Sequence, residues 1–128
     1  MDKKKLTKED IITIKDLPVE EVFVPEWGGV VYLRGMNASE RDEFEGQLFT
    51  GEGKDRKLNI RNLRARLVAL TVVDEKGNNL FTPDEVEKLG KKSATVINRL
   101  FDKAQKLSGI GQSDVEDYLK NSGSGQPD

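Results

Sequence analysis

Val96, Ile97, Leu100, Phe101, Ala104 and Leu107 recur along one stretch at steps of one or three residues, and no other feature constrains the fold as much. Residues three and four apart share a face of an α-helix, so the run predicts a helix whose apolar stripe must be covered. Ser93 stands where an N-cap is wanted, and Ser108-Gly109 closes the run in a C-cap pattern. The remaining elements have to supply the cover. A chain of 128 residues fits one domain that buries roughly two-thirds of its unfolded surface. Hydrophobic residues are 35% and charged residues 34%, so the core is modest and the surface densely charged.

The best β-signal lies near the start. Val22 and Val24 alternate with Phe23, and Val30-Val31-Tyr32-Leu33-Arg34 follows a Pro25-Glu26-Trp27-Gly28-Gly29 turn sequence. Two such runs around a Gly-Gly turn predict one antiparallel hairpin near residues 20–34, pairing 20–25 with 29–34. An isolated hairpin is marginal in water, so one face should pack on helices.

Further helices are predicted by their starts. Thr7-Lys8-Glu9-Asp10 is a cap followed by acids, ahead of Ile11, Ile12 and Ile14 as a short apolar face that stops at Pro18. Asn37 or Ser39 can cap a helix with Phe44, Leu48 and Phe49 inward. After a Gly-containing loop at 50–55, Ile60, Leu63, Leu67 and Leu70 predict a helix from about Leu58, while Val72-Val73 reads as its end or as extended chain. A polar turn centred on Gly77 leads to Thr82-Pro83-Asp84-Glu85, a cap with Pro at the first helical position, then a brief helix with Val86 and Leu89 inside and Gly90 as its stop. Ser113-Asp114-Val115-Glu116 is a capping-box sequence for a last short helix. The expectation is a helix-rich α+β domain of about five to six helices over residues 6–121. Residues 1–5 should be a flexible start and 122–128 a disordered tail.

Composition narrows the chemistry. Cysteine and histidine are both absent, which removes thiolate zinc sites, thiol nucleophiles and histidine acid–base pairs. Oxygen-ligand sites stay possible, but Glu40, Asp42, Glu43 and Glu45, like Asp114, Glu116 and Asp117, sit where solvated helix faces or helix starts explain them. Asp74-Glu75-Lys76-Gly77-Asn78-Asn79 lacks the alternating ligands of a calcium loop, and Gly51-Glu52-Gly53-Lys54 lacks P-loop spacing. No catalytic, metal or cofactor site is expected, and no apolar run is long enough to span a membrane.

Two surface features are candidates for partners. The basic cluster Lys54, Arg56, Lys57, Arg61, Arg64 and Arg66 reads as a solvated face, as a contact for an acidic partner, or as a phosphate contact. No aromatic residue is interleaved with it to stack bases, and the net charge is −2, so nucleic acid is the least favoured. Trp27 at the hairpin tip is either an interface anchor or a lid over the small core.

The ordered wording of the chain resembles one family. Asn62-Leu63-Arg64-Ala65-Arg66-Leu67, Val73-Asp74-Glu75-Lys76-Gly77-Asn78-Asn79-Leu80-Phe81 and Leu100-Phe101 to Ala104-Gln105-Lys106-Leu107-Ser108-Gly109 look like the small tail assembly chaperones of long-tailed bacteriophages. Upstream, Lys15-Asp16-Leu17-Pro18, Val24-Pro25-Glu26-Trp27-Gly28-Gly29 and Ser39-Glu40-Arg41-Asp42 fit the same pattern, so the resemblance spans nearly the whole chain. It implies a non-enzymatic protein of the host bacterial cytoplasm, absent from the mature virion. Such a protein binds and solubilises the helical tape measure protein and helps recruit tail tube subunits. Ring or filament assembly of copies along a long partner is compatible with that role. The family also implies a longer form made by ribosomal frameshifting, with this chain as the short form. Leu119-Lys120-Asn121 is the candidate slippage region, because extension beyond it would disturb no packed backbone. The alternative from another class is a small nucleic-acid-associated regulator using residues 54–66.

Overall fold

The computed structural model describes residues 3–110. It contains five α-helices and five short strands among these residues: α1 (Lys8–Thr13), β1 (Val19–Val24), β2 (Gly29–Arg34), α2 (Ala38–Gly46), β3 (Phe49–Thr50), β4 (Lys57–Leu58), α3 (Leu63–Thr71), β5 (Val72–Val73), α4 (Val86–Leu89) and α5 (Ala94–Leu107). The fold is the expected helix-rich α+β type. The capping-box helix expected after Ser113, the tail at 122–128 and Leu119, Lys120 and Asn121 lie outside the described residues, as do Met1 and Asp2.

The hairpin forms as its alternation requires. β1 and β2 pair antiparallel with Phe23 opposite Val30 and Val22 opposite Val31. A 3-10 turn over Pro25–Trp27 joins them, and Gly28 takes the left-handed conformation there. Val24 and Leu33 face inward and are fully buried, whereas Phe23 faces out. The sheet is larger than the sequence announces. Val72-Val73 is extended and adds β5 to the free side of β2, pairing Leu33 with Val72 and Tyr32 with Val73.

α5 lies under this sheet and against α3. Val96, Ile97, Leu100, Phe101 and Ala104 are buried as the stripe predicts. Ser93 Oγ accepts from Val96 N. At the other end Ile110 N donates to Gln105 O and Gly109 N to Lys106 O, a Schellman closure that carries Ile110 into the core. Where α5 ends, β2 ends too: Ser108 Oγ accepts from Met36 N at 3.0 Å. Gly35 lies so close that a side-chain carbon there would meet the Leu107 carbonyl oxygen and the Pro18 ring. Gly35→Ala should therefore cost about 1–3 kcal/mol by overpacking, measured as a lowered urea midpoint.

α3 is the central helix, packed against α2, α4 and α5. Ala65, Leu67, Val68, Ala69 and Thr71 are all buried, so burial runs around most of its circumference rather than along one stripe. Thr71 Oγ1 satisfies itself by donating to Leu67 O. This helix begins later than its apolar spacing predicts. Lys57-Leu58 pairs with Phe49-Thr50 as β3–β4, which holds Leu58 extended, and Asn62 at φ 54° reverses the chain just before Leu63. For the same reason Phe49 belongs to a strand and not to α2, which ends at Gly46 while Leu48 remains buried in the turn after it.

Hydrogen bonds fix the helix starts and the polar turn. Thr7 and Asp10 form a capping box for α1, and Asn37, not Ser39, does so with Glu40 for α2. Asp74 Oδ1 accepts from Lys76 N and Asn78 N around Gly77. Thr82-Pro83-Asp84-Glu85 opens as a 3-10 turn with Glu85 Oε1 accepting from Thr82 N, and α4 follows.

Candidate partner-binding groove

A groove of about 660 Å³ lies against α3. α3 supplies its floor with Ala69 and Leu70. α2 and β3 form one wall with Glu43 and Phe49, and the segment through Phe81, Val86 and Glu87 forms the other. Phe49, Leu70, Phe81 and Val86 are half-buried side chains packed on the core. The groove thus has an apolar floor with charge along its rim. Phe81 also lines a smaller cavity of about 220 Å³ with Trp27, Leu89 and the stems of Lys88 and Lys92. It links the hairpin tip to the groove. Trp27 is 40% exposed, so it neither stands free nor closes over the core.

The basic cluster does not form one surface. Arg61 lies on the groove rim, exposed, 3.5 Å from Glu87. Arg66 lines the groove too, but as a tie: its Nη1 donates to Arg61 O at 2.7 Å and its Nη2 to Asn59 O at 2.8 Å. Its Nε is buried without a partner, and burial lowers its pKa, although a guanidinium remains charged. Arg64 lines a different depression, between α3 and α5, donates to Asn98 Oδ1 at 2.9 Å and lies 5.5 Å over the Phe101 ring. Arg56 stacks on Phe49, 3.8 Å from its centroid. Arg61, Arg64 and Arg66 are thus directed to different neighbours. Arg66→Ala should cost about 1.5–3 kcal/mol, the range for hydrogen bonds to charged groups. Arg61→Ser should stay within about 0.5 kcal/mol. Paired urea titrations check the difference.

Two acids of α2 are engaged structurally, and Asp114, Glu116 and Asp117 lie outside the described residues. Glu40 accepts from Arg34 Nη2 at 2.6 Å and from Asn37 N, and Glu45 meets Arg41 at 3.3 Å. Among the described residues no three carboxylates converge as a metal site. Beside Trp27, Glu26 accepts from both terminal nitrogens of Arg99 at 2.8 and 2.7 Å, and that bidentate contact holds its pKa down at about 2. A carboxylate whose folded value lies below its unfolded one stabilises the fold in full above the unfolded value. The contribution is lost as pH falls towards the folded value. Arg99→Ala should therefore flatten the decline of the thermal midpoint between about pH 4.5 and 2, a change visible by circular dichroism.

Comparison with known proteins agrees with this architecture. The sequence model of the family described as "Phage tail assembly chaperone" matches residues 15–121. A solved structure, that of the bacteriophage HK97 tail assembly chaperone, matches with a TM-score of 0.56 at 19% identity, covering 81% of this chain and 95% of that one. No curated protein matches the chain. The fold is thus shared with a phage protein of low sequence identity, and the chain belongs to the phage tail assembly chaperone family.

Proposed function

We propose that the chain binds apolar helical segments of the phage tape measure protein in the groove between α2, α3 and α4. There it keeps those segments from aggregating while tail tube subunits are recruited. The observation that carries this reading is the apolar lining of Phe49, Leu70, Phe81 and Val86, half-buried and gathered from separate parts of the chain into one concavity. A helix is about 10–12 Å across with its side chains, and helix-in-groove recognition needs an apolar channel with polar edges. Arg61 at the rim and Trp27 at the far end, reached through Phe81, extend the contact; Arg64, on its own depression, contributes to a second partner surface. Tape measure, tube protein and a frameshifted longer form of the chain are the partners of this reading, the host bacterial cytoplasm is its place, and neither catalysis nor a cofactor enters it. No helix among the described residues is long and apolar enough to cross a membrane. A nucleic-acid role is less well supported, because the arginines at 61, 64 and 66 are directed to different neighbours and make no continuous phosphate track.

Co-expression supplies the test. With the chain present, the tape measure protein should move from the insoluble to the soluble fraction and co-purify with it. A tape measure that stays equally insoluble with and without the chain contradicts the proposal.

A further inference from the structure

The groove has two unlike ends. Towards the C-terminal end of α3, Leu70, Glu40 and Asn79 line it. Arg34 joins Glu40 to the Gly77 carbonyl oxygen, and Asn79 bridges to Val73, just past α3. Towards the N-terminal end of α3, Arg61 meets Glu87, Arg66 donates to Asn59 O, and Asn59 N donates to Leu48 O. The groove therefore runs along α3 from Leu70 back to Asn62, about 12 Å at the helical rise.

Charge differs between these ends. Glu40 and Glu43 stand three residues apart on α2, on one face. Arg34 matches the charge of Glu40 at 2.6 Å, so Glu43, which is exposed, carries the excess there. At the other end Arg61 is exposed and Arg66 is held in place, against Glu87 alone. α3 adds to the imbalance. It starts with no side-chain cap and no acid in its first turn, where Arg64 and Arg66 stand instead, so nothing local neutralises the positive end of its dipole.

Resting on the tape measure reading above, we propose that the groove takes its client helix in one direction, antiparallel to α3, with Lys or Arg flanking the client's N-terminal end and Asp or Glu its C-terminal end. In that direction the client's free N–H groups lie beside Glu43, and its free carbonyl groups lie beside Arg61 and the start of α3. Reversal puts like charges together at both ends. α2 runs the same way as such a client and opposes it, but the N-terminus of α2 is already occupied by its Asn37 and Glu40 capping box. The apolar lining supplies affinity in either direction, whereas the charges choose between them.

Two designed helical peptides of one composition, each carrying a leucine stripe and locked by a side-chain cross-link, probe the full-length chain. One has lysines at its N-terminal end and glutamates at its C-terminal end, and the other has them exchanged. At low ionic strength the first should bind about tenfold tighter or more, a preference that shrinks as salt screens the rim. A nitroxide on the N-terminus of the first peptide should broaden the resonances of Glu43 and Asn79 and spare those of Asn59 and Glu87. Glu43→Lys combined with Arg61→Glu should reverse the preference and leave the thermal midpoint in place, since both side chains are exposed. Equal affinities within the groove, or broadening at both ends from one label, overturn the direction and leave the groove reading standing. If neither peptide binds in the groove, both readings fall together.

Discussion

Phe101→Ala should unfold the chain or leave it aggregating near body temperature. The ring is 7% exposed at the seam where α5 packs on α3, and removing a buried Phe costs about 3–5 kcal/mol. Small domains hold only about 5–15 kcal/mol in total. The loss also takes away the surface over which Arg64 lies. Chemical denaturation against the unsubstituted chain measures it. A midpoint that does not move would mean that Phe101 is not part of the core.

The second large effect concerns binding rather than stability. Phe81 is only half-buried, yet it lines both the groove and the cavity beneath Trp27. Phe81→Asp places a charge in the middle of the proposed contact, and central aromatic anchors are worth about 2–4 kcal/mol when truncated. Capture of a tape measure segment should weaken by about a hundredfold or more, with most of the fold's stability retained. Arg61→Ser, at the rim, should change capture by much less and chiefly at low salt. Equal losses for the two variants would argue against an apolar groove as the source of affinity.

Features written locally were legible in the sequence. The stripe of α5, the Ser93 and Ser108-Gly109 boundaries, the hairpin and the Gly77 turn each depend on neighbours within a few residues, and all appear as expected. Features that depend on distant partners were not. β5 is a strand because β2 offers a free edge, and β3–β4 forms because residues 49–50 and 57–58 meet across a Gly-rich loop. β3–β4 displaced a helical reading that its apolar spacing also fits, whereas β5 took the extended alternative that Val72-Val73 left open. Ile110 reaches the core only through the Schellman closure. The groove is hidden for the same reason, since Phe49, Leu70, Phe81 and Val86 share no periodicity. The division of the arginines did leave a signal: Arg64 and Arg66 are two residues apart on a helix, a spacing that points side chains to different faces.

The most direct measurement is a footprint of the client on the folded chain. A soluble helical segment of the tape measure protein is titrated into isotope-labelled chain and the backbone and methyl resonances are followed. Shifts centred on Phe49, Leu70, Phe81 and Val86, extending to Arg61 and Trp27 and absent in Phe81→Asp, are the predicted result. Saturable binding whose shifts spare the groove and fall on the N-terminal helix and outer hairpin face instead would contradict the account.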